Sequence, residues 1–249
     1  MLKSHKAKPM ISCPACGGYS NSAISIGRTG CMRSDGLLFP KLLKKQHCHM
    51  CGMLFQGNHN ILGSSVPYKR SNGRSVSDVK RHGFIAQGVA TLIRELFEDA
   101  VGLKVLEVGA GNFLTAKFIA EEFANCQVTA IEPSPENESV SGVSNLNIVK
   151  GSLESTHAGG DYDVIFSNHV LEHLPNVKET ILHHHSRLLQ GNGIIFFIVP
   201  NYYPASEEIL FADHLYTFTR KSMRSLLEKS EMKLICNFEA DWDPGIMVY

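Results

Sequence analysis

The sequence predicts an α/β protein in which a doubly wound parallel sheet, helices on both faces, follows a small cysteine-rich module. Three observations lead there. From about residue 84, short apolar runs alternate with stretches of helical periodicity, the pattern of a parallel sheet covered by helices. One run, Val105-Leu-Glu-Val-Gly-Ala-Gly111, ends in glycines, and a carboxylate, Glu132, stands 21 residues beyond Gly111. The first 52 residues hold two C-x-x-C-G segments. A length of 249 residues suits one medium domain plus a small appendage, and 43% hydrophobic residues support a packed core. No apolar run approaches the roughly 20 residues of a membrane span, and the opening MLKSHKAKPMIS lacks the apolar core of a signal peptide. A cytoplasmic chain is expected.

The module comes first. Cys13-Pro-Ala-Cys16 and Cys48-His-Met-Cys51 are each followed by a glycine, Gly17 and Gly52, able to take the left-handed conformation of a tight turn under a metal. Two such turns supply four thiolates for a tetrahedral zinc, so a zinc-ribbon-like module is expected over residues 1–60. Two disulfides fit poorly with a cytoplasmic chain of seven cysteines, and a redox C-x-x-C needs no duplicate. His47 and His49 flank the second pair and are expected outside the ligand set. Cys31, Cys126 and Cys236 have no partner spacing and are expected as buried free thiols.

Residues 61–82, rich in Gly, Ser, Asn and basic side chains, are expected as a linker. The net charge of zero conceals an asymmetry: residues 1–82 carry thirteen Lys/Arg against Asp35 and Asp78, a balance of +11, so the remainder carries −11. Either the basic part faces an anionic partner, or it is a basic surface beside its own acidic domain.

An amphipathic helix should follow, with Phe84, Ile85, Val89, Leu92, Ile93, Leu96 and Phe97 on its apolar side. Then come KVLEV, a helix from about Phe113, QVTAI, a short helix, LNIV, DVIFS, a helix from about Val177, GIIFFIV, a helix from about Lys221, and LICNF. Ligands of such sheets bind at the carboxyl ends of the strands. Glycines at the first strand end let the backbone approach a cofactor, and Glu132 at the next can accept hydrogen bonds from both ribose hydroxyls. A dinucleotide enzyme shares these features, but its pattern wants a third glycine where this chain has Leu114.

With LEVGAG, AIEPS, DYDVIFSNHVLEHL, IVPN at 198–201 and DHLYTFTRKSMRSLLEKS at 213–230, residues 84–249 resemble the class I S-adenosylmethionine-dependent methyltransferases, some of which carry an N-terminal cysteine-rich zinc module. The resemblance implies a Rossmann-like methyltransferase sheet over residues 83–249. It places Glu107, Gly109 and Gly111 along the methionine side of S-adenosylmethionine, Glu132 on the ribose, Ser152 and Leu153 beside the adenine, and Asn168 near the methyl donor. Two departures stand out: Phe113 follows Asn112 where many relatives have another glycine, and the chain ends at Tyr249, which predicts a very short or incomplete last strand.

His169-Val-Leu-Glu172-His173 sets three ligand-capable side chains on one face if helical. H-x-x-E-H is also a metalloprotease pattern, which conflicts with a segment that follows a buried strand. Glu172 and His173 are expected to close the pocket by hydrogen bonds while His169 faces substrate; a second metal on the three stays open. His183, His184 and His185 point about 100° apart on a helix and are expected on its exposed or flanking surface. His214, before Tyr216 and Phe218, is either a capping histidine or, with His169, a general base. The expected function is methyl transfer to an anionic small-molecule acceptor such as a nucleotide-linked sugar. RNA is the alternative acceptor, and a noncatalytic adaptor the alternative function.

Overall fold

The computed structural model describes residues 11–20, 22–26, 30–57, 76–97, 100–133, 142–152, 155, 161–188, 193–201, 207–235, 237–240 and 243–248. Seven short strands come first: β1 (Ile11–Ser12), β2 (Tyr19–Ser20), β3 (Ser22–Ile26), β4 (Cys31–Met32), β5 (Leu38–Phe39), β6 (Leu43–His47) and β7 (Leu54–Phe55). They are followed by α1 (Val76–Leu96), β8 (Lys104–Val108), α2 (Leu114–Glu122), β9 (Gln127–Glu132), β10 (Leu146–Lys150), β11 (Val164–Asn168), α3 (Val177–Leu188), β12 (Ile194–Pro200), β13 (Tyr216–Thr217), α4 (Arg220–Glu228), β14 (Phe238–Ala240) and β15 (Asp243–Val248). No helix among the described residues is long and apolar enough to cross a membrane.

Contacts divide the chain into two units, one of Met1–Tyr68, Glu172–Lys178 and Pro200–Ile235, the other of Lys69–Leu171, Glu179–Val199 and Cys236–Tyr249. This differs from a division at residues 60 and 82, which treats each unit as continuous in the chain. In the first unit β13 pairs with β7, completing an antiparallel sheet of order β13-β7-β6-β3. The edge of β7 is thereby satisfied by a segment 160 residues further on, which local patterning does not reveal. The last seven residues of the expected linker, from Val76, are already helical as the start of α1.

The second unit holds a seven-stranded sheet of order β10-β9-β8-β11-β12-β15-β14. β10, β9, β8, β11 and β12 are parallel, and β14 and β15 form an antiparallel pair with β15 inserted beside β12. Counted within the sheet, the order is 3-2-1-4-5-7-6, reversing direction between β8 and β11. Alternate residues bury on opposite faces: Val105, Val128, Val164 and Phe166 join Ile85, Val89, Ile93, Phe113 and Ile119, while Leu106, Val108, Ile131 and Ile165 pack with Tyr162. Each such aliphatic side chain contributes about 1.5–3 kcal/mol by leaving water. Phe84 and Leu96, expected on the apolar side of α1, are exposed. β15 runs six residues and pairs with β14, so the last strand is not the very short one expected. The residues around the expected short helix after β9 lie largely outside the described set.

Candidate functional site

The parallel register brings the ends of β8, β9 and β11 level, with Glu107 beside Ala130 on one side and Phe166 on the other. Beyond β8 the chain folds over β9, and the amides of Gly109 and Ala110 both donate to the Ile131 carbonyl, at 2.9 and 3.0 Å. Gly109 has φ 72°, and a Cβ there would lie 2.4 Å from Val170 Cγ2. Gly111 also has positive φ, 59°, but a Cβ there would meet nothing within 4 Å. Its amide donates to Glu132 Oε2 at 2.9 Å, and Glu132 is buried. Phe113, the departure from the glycine pattern, takes φ 63° as the residue before α2, its ring buried in the core. A non-glycine left-handed residue is held here because the ring is anchored below.

Glu107 Oε2, Ser167 Oγ and Asn168 Oδ1 are buried and find no hydrogen-bond partner among the described residues. Buried polar atoms are rarely left so, and three at neighbouring strand ends mark a place built for a polar ligand. Ser167 is the member that the sequence did not single out; it sits inside the buried run DVIFS, where a lone hydroxyl was the available signal. Gly151 donates to the Glu132 carbonyl at 3.0 Å, which sets Ser152 beyond β10 next to that carboxylate's strand. Leu153 lies outside the described residues.

Burial pushes the Glu107 carboxyl up to about 8, reinforced by the Glu132 charge and opposed by a hydrogen bond from the Ala116 amide. A carboxyl whose folded value is raised holds its proton more tightly in the native state, so its contribution is full below about 4.5 and is lost as pH rises through about 8. Stability of the ligand-free protein should therefore fall more steeply from pH 5 to 8.5 in the wild type than in Glu107→Gln, by roughly 4 kcal/mol over that range, read as a steeper fall in melting temperature. Parallel pH profiles for the two proteins would show that Glu107 is ionised throughout.

His169 is not on a helix. It follows β11 with φ 53°, its amide donates to the Ile198 carbonyl at 2.9 Å, and a short 3-10 turn begins only at Leu171. The expected single face carrying His169, Glu172 and His173 is therefore absent: the left-handed residue turns the chain before the turn starts. Instead, Arg81 Nη2 lies 3.1 Å from His169 Nε2. A guanidinium only donates, so Nε2 is the accepting atom of this contact.

In the first unit the two C-x-x-C-G segments form matching turns. Gly17 donates to Cys13 and Gly52 to Cys48, at 2.8 and 2.7 Å, with φ of 74° and 77°. Cys13, Cys16, Cys48 and Cys51 are free thiols whose sulfurs lie within 4.8 Å of one another, with Cys13–Cys51 at 3.7 Å and Cys16–Cys48 at 3.4 Å. Zn–S bonds of about 2.3 Å in a tetrahedron put sulfurs about 3.8 Å apart, so the cluster fits a zinc module. His47 and His49 stand outside the set, ring against ring. Cys126 is buried as expected, whereas Cys31 is only half-buried. Cys236 and the side chains of His183, His184 and His185 lie outside the described residues.

The same unit gathers Glu172, His173 and His214, with one ligand atom of each within 4.8 Å of the others. Glu172 and His214 are buried; the two imidazoles meet edge to face at 4.6 Å. His173 Nδ1 lies 3.1 Å from the Asp213 carbonyl, and His214 Nδ1 pairs with Glu208 Oε2. Burial lowers the His173 pKa, against the pull of the Glu172 charge. Asp213 accepts from the Ser34 amide at 2.8 Å, and fully buried Lys45 lies 3.2 Å from Thr217 Oγ1. Burial brings the Lys45 ammonium down to about 8, with Glu208 and Asp213 opposing. Lys45, Glu208 and Asp213 were not singled out by sequence; the period of two from Leu43 to Lys45 was the available sign that the lysine points inward.

Residues 80–237 match the model of a family described as a methyltransferase domain. The chain belongs to that family. A ubiquinone biosynthesis O-methyltransferase of Erwinia tasmaniensis is 34% identical over 110 residues, covering 40% of this methyltransferase-family chain and 43% of that protein. A malonyl-[acyl-carrier protein] O-methyltransferase of Ilyobacter polytropus is 25% identical over 127 residues, covering 48% and 47%. The chain thus spans less than half the length of these relatives. The solved structure of mitomycin 7-O-methyltransferase MmcR superposes with a TM-score of 0.57 at 14% identity, covering 69% of this chain and 52% of that one, a likeness of fold.

Proposed function

We propose that the chain is an S-adenosylmethionine-dependent methyltransferase, and the observation that carries this is the set of strand-end groups around Glu132. When bound, S-adenosylmethionine supplies a methyl carbon already activated by positive sulfur. The chain's own part is to bind, align and exclude water, which lowers the barrier by several kcal/mol through prepaid entropy. Glu132 accepts from the ribose hydroxyls, Gly109 and Gly111 admit the methionine portion with Glu107 beside it, Ser152 and Leu153 border the adenine, and Asn168 stands nearest the methyl. His169, once its Nε2 is released by Arg81, is the group to take a proton from the acceptor. Replacing Glu132 by Ala should weaken donor binding by roughly 1.5–3 kcal/mol. Calorimetry with unchanged affinity would remove Glu132 from the site, and tight binding of a nicotinamide dinucleotide would overturn the assignment.

Residues 1–60 hold one zinc on Cys13, Cys16, Cys48 and Cys51 in this proposal, and the acceptor is an anionic small molecule such as a nucleotide-linked sugar. The relatives' names favour oxygen as the accepting atom. Support comes from the basic excess of residues 1–82 and from the contact of Arg81 with His169. Arg70 and Arg74 lie outside the described residues but in the same basic run. Changing Arg70, Arg74 and Arg81 to Ala should raise the acceptor KM while leaving donor binding intact. Separate pools of nucleotide sugars, RNA and small metabolites with labelled donor identify the class. An RNA acceptor shows a steep loss of affinity with salt, a single diphosphate a shallow one. Donor binding with no methylated product in any pool would favour the adaptor.

A further inference from the structure

We propose that Glu172, His173 and His214 form a second metal site, distinct from the four cysteines, for a divalent transition ion. The proposal stands apart from the methyl-transfer assignment, since it rests on side chains of the cysteine-bearing unit alone. Two imidazoles and a carboxylate within 4.8 Å of one another are a facial set of three donors that leaves positions for water or an oxygen ligand. Two nitrogen donors favour zinc, iron, cobalt or manganese over magnesium, which prefers oxygen alone.

The surroundings of the histidines supply the independent observation. A carbonyl accepts only, so His173 must carry its proton on Nδ1 towards Asp213, 3.1 Å away, leaving Nε2 as the lone pair. Glu208 Oε2 lies against His214 Nδ1 as an ion pair. Metal-bound histidines are oriented in just this way, with the outer nitrogen donating to a carbonyl or a carboxylate. Here His173 has such a partner and His214 has a carboxylate against its Nδ1, and both groups are themselves placed, Asp213 by the Ser34 amide and Glu208 by its carbonyl, 3.4 Å from Lys45 Nζ. The site differs from the one the H-x-x-E-H spacing implied: His169 is replaced by His214, 45 residues away in sequence.

Co2+ is the probe. Full-length protein with zinc already on the cysteines is titrated with Co2+ while bound zinc is measured. Expected is about one additional Co2+ per chain, with visible d–d bands, no thiolate-to-cobalt charge transfer and no zinc released. Glu172→Gln and His214→Gln should each weaken it at least tenfold, and Glu208→Gln, which removes only the orienting partner, roughly tenfold. Zinc retained on the cysteines reports that each variant is folded. Uptake accompanied by charge transfer and zinc release, no uptake by the wild type, or wild-type affinity in folded Glu172→Gln would each overturn the site. None of these outcomes involves donor or acceptor, so failure here leaves the methyltransferase assignment untouched.

Discussion

If the four cysteines hold the proposed zinc, Cys48→Ser or chelation is expected to unfold the cysteine-bearing unit as a whole, the largest effect of any change considered. Its strands are two to five residues long. Isolated strands of that length are marginal in water, and the four thiolates stand at the two turns that close them. Apparent binding energies for structural zinc are about 10–16 kcal/mol, so losing the metal exceeds what so small a core can offset. The loss should travel. Thr219 Oγ1 donates to the Cys51 carbonyl at 2.6 Å, and Thr219 is also the N-cap of α4, in a capping box with Ser222. Hydrogen exchange should therefore accelerate in residues 43–56 and also in residues 216–228, while β8, β9 and β11 stay protected. A zinc-free Cys48→Ser protein with wild-type melting temperature and wild-type protection across residues 216–228 would contradict both the metal proposal and its coupling to α4.

That coupling marks the limit of what the sequence made legible. The parallel core was readable because its strands are buried on both sides and announce themselves as apolar runs: KVLEV is β8, residue for residue, and Gly109, Gly111 and Glu132 come out at adjoining strand ends with the Gly111 amide on the Glu132 carboxylate. The four-cysteine cluster was readable because its residues come in local pairs. What escaped depends on contacts between distant segments. Nothing near Tyr216 says that it pairs with Phe55, so the first unit looked as though it ended near residue 60. H-x-x-E-H implied a helical face because spacing carries no information about backbone hand, and His169 takes a left-handed conformation with its imidazole at Arg81. His214 was noticed for its place in DHLYTFT, yet its partners Glu208 and His173 come from two other segments. Lys45 counts towards the basic balance of residues 1–82, yet it is fully buried.

The second large effect is expected at Gly109, where two independent costs fall on one methyl group. A non-glycine residue at φ 72° costs about 1–2 kcal/mol. In addition, a Cβ would lie 2.4 Å from Val170 Cγ2, well inside contact distance, with Cγ1 at 3.4 Å, so Val170 or the loop must move at a further cost of about 1–3 kcal/mol. The loop is poorly able to yield, because the Gly109 and Ala110 amides are both tied to the Ile131 carbonyl. Gly109→Ala should thus lower the melting temperature by roughly 5–15 °C and abolish measurable donor binding with it. Gly109→Ala/Val170→Ala separates the two costs: it removes the clash, leaves the backbone cost, and should recover more than half of the lost stability. Gly111→Ala is the control on function. It bears the backbone cost alone, since its Cβ meets nothing within 4 Å, and should shift melting by only about 2–8 °C. Its methyl nevertheless stands on the residue whose amide holds Glu132, beside the proposed donor site, and should reduce donor affinity at least tenfold by calorimetry. If Gly111→Ala binds S-adenosylmethionine as the wild type does, the donor does not approach this loop. If Val170→Ala fails to rescue Gly109→Ala, backbone conformation and not the Val170 contact fixes glycine at that position.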